Sequence, residues 1–208
     1  MSGVTSLPNS RFGRTTETVG FFETDVHTFA RWQTRGLGHG WEDIDIGQGS
    51  VEALIDKTVG VERTPRCDKY LILAAGRWSM LFTDGPLGTD TGVLPARAAS
   101  DLRVRGVRAT AVDSDSDSFA AAIVDLFDPD ADDASGCLRS VHATHDGYSW
   151  TFGQYGEPLE FEDVDAYQRR AVRQRFTAAM VREFLAHLGI PDIGLEDTTT
   201  GRLVSRSS

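Results

Sequence analysis

His142 and His145 stand three residues apart in the stretch HATHDGYSW, with Asp146 directly after the second. Histidine supplies a metal ligand, or a general acid or base near neutral pH. On a helix this spacing would suit a ligand pair. Asp146-Gly147 argues against a helix here, because Asp-Gly is among the strongest signals for a two-residue hairpin turn with positive φ at both positions. The flanking runs VHATH and YSWTF alternate as strands do, so His145 is expected to face Tyr148 across the turn. Residues of opposite index parity leave a strand on opposite faces, which sends His142 and His145 apart. No metal and no cofactor are expected.

A second candidate is GLGHGWEDID, which sets His39 beside Glu42, Asp43 and Asp45. A histidine near carboxylates suits acid–base work, and the glycines allow a ligand to approach closely. One reading is a small hydrolase or transferase using His39, Glu42 and Asp45. The plainer reading is a solvated surface loop anchored by Trp41. The stretch TDGPLGTDTG, with Asp84 and Asp90, lacks the Gly-Lys-Ser/Thr ending of a phosphate-binding loop. No G-x-S-x-G, H-E-x-x-H or Cys-x-x-Cys pattern occurs. Arg169, Arg170, Arg173 and Arg175 could hold a phosphate or an acidic partner; the preferred reading pairs them with neighbouring carboxylates on a solvated face.

The charge balance sorts the partner classes. With 31 acidic against 21 basic residues, the formal net charge is -10. Binding nucleic acid or an anionic membrane needs clustered positive charge, so neither is expected. The acidity favours steering toward a basic protein. Asp113, Asp115 and Asp117 precede one apolar run, and Asp128, Asp130, Asp132 and Asp133 follow it. These aspartates, with Glu42, Asp43 and Asp45, are the expected partner-binding residues. If the apolar run is a strand, its two loops leave from opposite ends of the sheet; if it is a helix or a bent hairpin arm, they could converge. Cys67 and Cys137 have no framework spacing and read as reduced thiols of a cytoplasmic protein. No apolar run suits a membrane span or a signal peptide.

The elements that must position these residues follow from periodicity. A short strand at TVGFF leads into a helix capped by Thr24 or Asp25. SVEALIDKTVG reads as a second helix capped by Ser50. KYLILAAGRWSMLFTDG gives two strands about Gly76, and GVRATAVD gives another. FAAAIVDLFD fits strand or helix. The strongest pattern is a long helix from Asp163 to Leu188, with Val164, Tyr167, Ala171, Phe176, Met180, Phe184 and Leu188 as its apolar stripe. The domain organisation expected is a disordered stretch over 1–10, one domain over 11–193 and a flexible tail over 194–208.

From Trp150 onward the chain resembles small acidic bacterial immunity proteins of polymorphic toxin systems. The resemblance rests on Trp150 and Phe152 of a W-x-F strand, on Phe161-Glu162, on Tyr167 and Arg170, and on Leu188-Gly189-Ile190. It implies a non-enzymatic domain, an immunity protein or antitoxin, that binds and blocks a basic toxin. It assigns no inhibitory residue. A scaffold subunit that oligomerises is a third reading, and the oligomeric state is open. The fold expected is α+β, an antiparallel sheet of about five or six strands with helices on one face and a long C-terminal helix. Elemental analysis of the purified protein should find no stoichiometric zinc. Stoichiometric metal that disappears in His142→Ala would contradict the strand reading.

Overall fold

The computed structural model describes residues 18–58, 67–83, 91–112 and 120–207. Its nine strands are β1 (Thr18–Phe22), β2 (Trp41–Ser50), β3 (Lys69–Ala75), β4 (Trp78–Thr83), β5 (Gly106–Val112), β6 (Ala121–Phe127), β7 (Cys137–His145), β8 (Trp150–Tyr155) and β9 (Thr198–Arg206). They form one antiparallel sheet in the order β2-β9-β3-β4-β1-β5-β6-β7-β8. The helices are α1 (Val26–Leu37), α2 (Val51–Thr58), α3 (Val93–Leu102) and α4 (Ala178–His187). The class is α+β, but the sheet is larger than the expected five or six strands.

Helices cover both faces of the sheet, not one. Along β1, Phe22 points to the face where α1 and α3 pack with Phe29, Ala98, Ile72, Leu81 and Val204. Phe22 and Phe29 stack there with ring centroids 3.9 Å apart. Val19 and Phe21 point the other way, into the larger core with Val51 and Ile55 of α2 and Val181 and Phe184 of α4. Strands buried on both sides read as continuous apolar runs, which is why β1 and β4 are legible in sequence. Asp25 caps α1 by accepting from the His27 and Thr28 N–H groups, each at 3.0 Å.

Two segments differ from the expected loops and tails. The glycine-rich WEDIDIGQGS is the edge strand β2, and TTTGRLVSR, expected as a flexible tail, is β9, an inner strand between β2 and β3. Both are too polar to announce themselves. They lie near the rim, where burial on one face suffices. Gly201 of β9 fits its place for a steric reason: a Cβ there would meet the Ile46 side chain at 2.8 Å. The ambiguous run after the first aspartate group is the strand β6.

The long helix is also corrected. Only Ala178–His187 is α-helical, capped by Thr177, whose side chain accepts from the Met180 N–H. Upstream lie two 3-10 turns, Ala166–Gln168 and Val172–Gln174, separated by extended backbone at Arg169 and Ala171. Side chains satisfy the carbonyls that a helical ladder would have used. Arg175 Nε donates to the Arg169 carbonyl at 2.8 Å, and Arg169 Nη1 to the Gln174 carbonyl at 3.0 Å. Tyr167, Phe176, Phe184 and Leu188 of the expected stripe are buried, whereas Val164 and Ala171 are exposed. Removing residues 194–208 deletes a strand hydrogen-bonded on both sides, so the truncated chain should show no cooperative unfolding transition. An unchanged denaturation midpoint would restore the tail.

Candidate functional site

The irregular segment after β8 is held by a buried ion pair. Arg139 of β7 and Glu162 have side chains 0% and 1% exposed, with Nη2 and Oε2 2.6 Å apart. All five guanidinium N–H groups are used. Nε and Nη2 reach Glu162, Nη2 also reaches Gln154 Oε1 at 2.8 Å, and Nη1 reaches the Tyr155 and Gly156 carbonyls at 3.0 and 2.8 Å. Glu162 accepts further from the Leu159 N–H at 2.8 Å and the Tyr167 hydroxyl at 2.7 Å. Burial pushes the Glu162 carboxyl up, but these donors outweigh it and hold it below the ordinary glutamate range. The Tyr167 hydroxyl is pushed well up by burial and by its bond to Glu162. Gly156 takes φ 78°, and a Cβ there would run into the Leu138 carbonyl oxygen. The network therefore fixes both the end of β8 and the path after it.

At that end of the sheet sits the acidic loop 128–136, which joins β6 to β7. Asp128 Oδ1 accepts from the Asp130 N–H at 2.9 Å, and Asp130 pairs with Arg103 at 2.5 Å. Asp133 accepts from the Ser135 hydroxyl, from the Ser135 N–H at 2.7 Å and from the Tyr155 hydroxyl at 3.0 Å. These donors, the Ser135 hydroxyl first, hold the Asp133 carboxyl low, and Asp133 in turn raises the Tyr155 phenol. Asp132 is exposed. Tyr155 is 52% exposed, and Leu138, the extra residue of a bulge in β7, is 38% exposed. The Cys137 thiol is pushed up to about 11 by burial and by Asp125 and Asp133, which disfavours the thiolate of a nucleophile. Asp113, Asp115 and Asp117, like Asp84 and Asp90, lie outside the described residues. The seven-residue β6 spans about 20 Å between its two loops, so the two aspartate groups attach far apart.

The other candidates are separated by strand parity. Asp43 and Asp45 share a face of β2 and pair with Arg202 of β9, at 2.6 and 3.6 Å, and Arg202 Nη1 donates to His27 Nδ1 at 2.9 Å. Glu42 lies on the opposite face, where the Ser207 hydroxyl donates to it at 2.8 Å. His39 is exposed between Gly38 and Gly40. The structure thus does not bring His39, Glu42 and Asp45 together. His142 and His145 also diverge. The His142 ring lies against Gly153 of β8, and His145 packs on Trp150 at 5.4 Å. The turn between them is a four-residue loop, not the two-residue turn expected. His145 pairs with Trp150, and Asp146 Oδ1 accepts from the Tyr148 and Ser149 N–H groups.

The arginines after β8 depart from the expected pairing. Of Arg169, Arg170, Arg173 and Arg175, only Arg169 meets a carboxylate among the described residues, Asp163 at 3.3 Å. Among the described residues, Arg170, Arg173 and Arg175 pair with none, and Arg175 instead lies over the Phe152 ring at 5.6 Å. Sequence reasoning missed Arg139, Tyr155 and Leu138. A buried arginine carries no local signal, and a strand-end tyrosine looks like any other. For Glu162, whose carboxyl is held low, the stabilisation is complete above the unfolded value of about 4.3 and fades as pH falls through the lower folded value. Glu162→Gln should cost about 3–5 kcal/mol at neutral pH. The gap from wild type should narrow on acidification in a denaturant series. A gap constant down to about pH 3 would contradict this assignment.

Compared with protein-family models, with curated proteins and with solved structures, the chain matches none.

Proposed function

We propose that the chain is a non-enzymatic protein-binding domain of the immunity-protein or antitoxin kind, acting in the cytoplasm on a basic toxin. The observation that supports the reading is the bond between the exposed Tyr155 and Asp133, which ties an aromatic anchor to an ordered acidic loop. Binding surfaces draw most of their energy from a few aromatic or arginine anchors, while complementary charge raises the association rate. Tyr155 and Leu138 serve as anchors, and Asp128, Asp130, Asp132 and Asp133 as the steering charge. Local donors hold three of these carboxylates in place, so little ordering remains to be done on binding. Around them the sheet is uncovered. α1 and α3 pack over the strands from β2 to β6, and leave His142, Thr144, Thr151 and Tyr155 of β7 and β8 half-buried or exposed. Among the described residues no helix is long and apolar enough to cross a membrane.

The test begins with a pull-down from the native host and continues with binding kinetics on the partner recovered. Association should slow as salt rises to 0.15 M, where the Debye length is about 8 Å. Asp132→Lys should slow association and leave dissociation nearly unchanged, and Tyr155→Ala should raise the dissociation rate about tenfold. Rates indifferent to salt and to both substitutions would refute the proposal.

A further inference from the structure

The two edges of the sheet have opposite characters. β2 carries Glu42, Asp43 and Asp45 and a bulge between Asp45 and Gly47. Charges and bulges are how native edges avoid pairing with other strands. β8 has neither: WTFGQY is uncharged and unbulged. The register shows what its edge offers. The His145 N–H donates to the Ala120 carbonyl at 2.9 Å, toward β6. His145 therefore does not exchange hydrogen bonds with Trp150. By alternation, Trp150, Phe152 and Gln154 point their N–H and C=O groups away from β7. Among the described residues no backbone group bonds to them there.

Beside this edge, on the face shared with α4, lies the arginine strip. The turn Val172–Gln174 packs on β8, and Arg175 covers Phe152. Arg173 lines a cavity of about 250 Å³ that runs inward from Trp150 of β8, under Thr177 and Ala178 at the start of α4, to Val112 of β5 and Ala122 of β6. We propose that the β8 edge is a docking site for an extended acidic segment of another protein. The segment adds as a tenth strand and sets alternate carboxylates on Arg173 and Arg175. Alternate residues of a strand lie about 6.8 Å apart on one face, a spacing that side chains as long as arginine can match. Charge decides the occupant. A second copy pairing β8 with β8 antiparallel would place both arginine strips on one side of the joined sheet, like against like. An acidic strand meets arginines that, among the described residues, pair with no carboxylate. The site differs from the acidic loop in position and in sign, and it stands whether or not that loop binds a toxin.

The probe is a capped peptide of alternating glutamate and valine, titrated by fluorescence anisotropy against the full chain. Three companion peptides carry lysine for glutamate, N-methyl groups on the valines, and N-methyl groups on the glutamates. Binding should weaken with salt. It should fall roughly tenfold in Arg173→Glu, disappear for the lysine peptide, and be lost when the residues that face the edge are N-methylated. Equal binding of every N-methylated peptide would mean charge without strand addition, and equal binding of the lysine peptide would mean an unselective edge. Either result overturns the proposal. So does a β8-linked dimer in sedimentation that excludes the peptide. Binding that appears only after Asp113, Asp115 and Asp117 are replaced by Asn would give the strip to the chain's own acidic stretch, and would equally overturn it.

Discussion

Arg139 and Glu162 carry one positive and one negative charge where neither reaches water. Desolvating them costs several kcal/mol per ion, and the pair persists only because every guanidinium N–H and much of the carboxylate is satisfied. A bond set this complete tolerates few backbone paths. Glu162 and Tyr167 must both reach the underside of β7 and β8, and the segment around them follows in 3-10 turns and extended links. The same contacts fix Tyr155 at the end of β8 and hold the arginine-bearing turns beside that strand. Both proposed binding surfaces thus depend on one ion pair.

This dependence explains where the sequence misleads. From Asp163 to Leu188 the apolar residues recur at helical spacing, and no glycine or proline interrupts them. Local propensity favours a helix there and tertiary bonding overrides it. Arg139 lies in an ordinary alternating strand, and nothing near it names Glu162, 23 residues away. β9 failed to show for a different reason. Its leucine and valine are adjacent, its other residues are small or polar, and only its neighbours β2 and β3 make it a strand. By contrast the hairpin of β3 and β4 about Gly76 and the cap at Ser50 are local and were legible, as was the cap of α1, narrowed to Thr24 or Asp25 and made by Asp25. Parity correctly separated His142 from His145. The same rule separates Glu42 from Asp45 once their stretch is known to be a strand.

The charge pattern was legible in amount and not in arrangement. A net charge of -10 suggests a uniformly acidic surface. The fold instead places an ordered acidic loop at one end of β6 and β7, pairs Asp43 and Asp45 with Arg202 at the far edge, and leaves arginines beside β8. Opposite charges on separate surfaces let one small domain meet two partners, or two parts of one partner.

The ion pair's governing role is tested most directly by a double-mutant cycle on unfolding free energy, with Arg139→Met, Glu162→Leu and both together. Each single substitution leaves a buried charge without its partner and should cost about 3–5 kcal/mol. The double variant, with neither charge to desolvate, should cost less than the sum by about 2 kcal/mol or more. Losses that add to within about 0.5 kcal/mol would contradict the account, because they would mean that the two residues act independently.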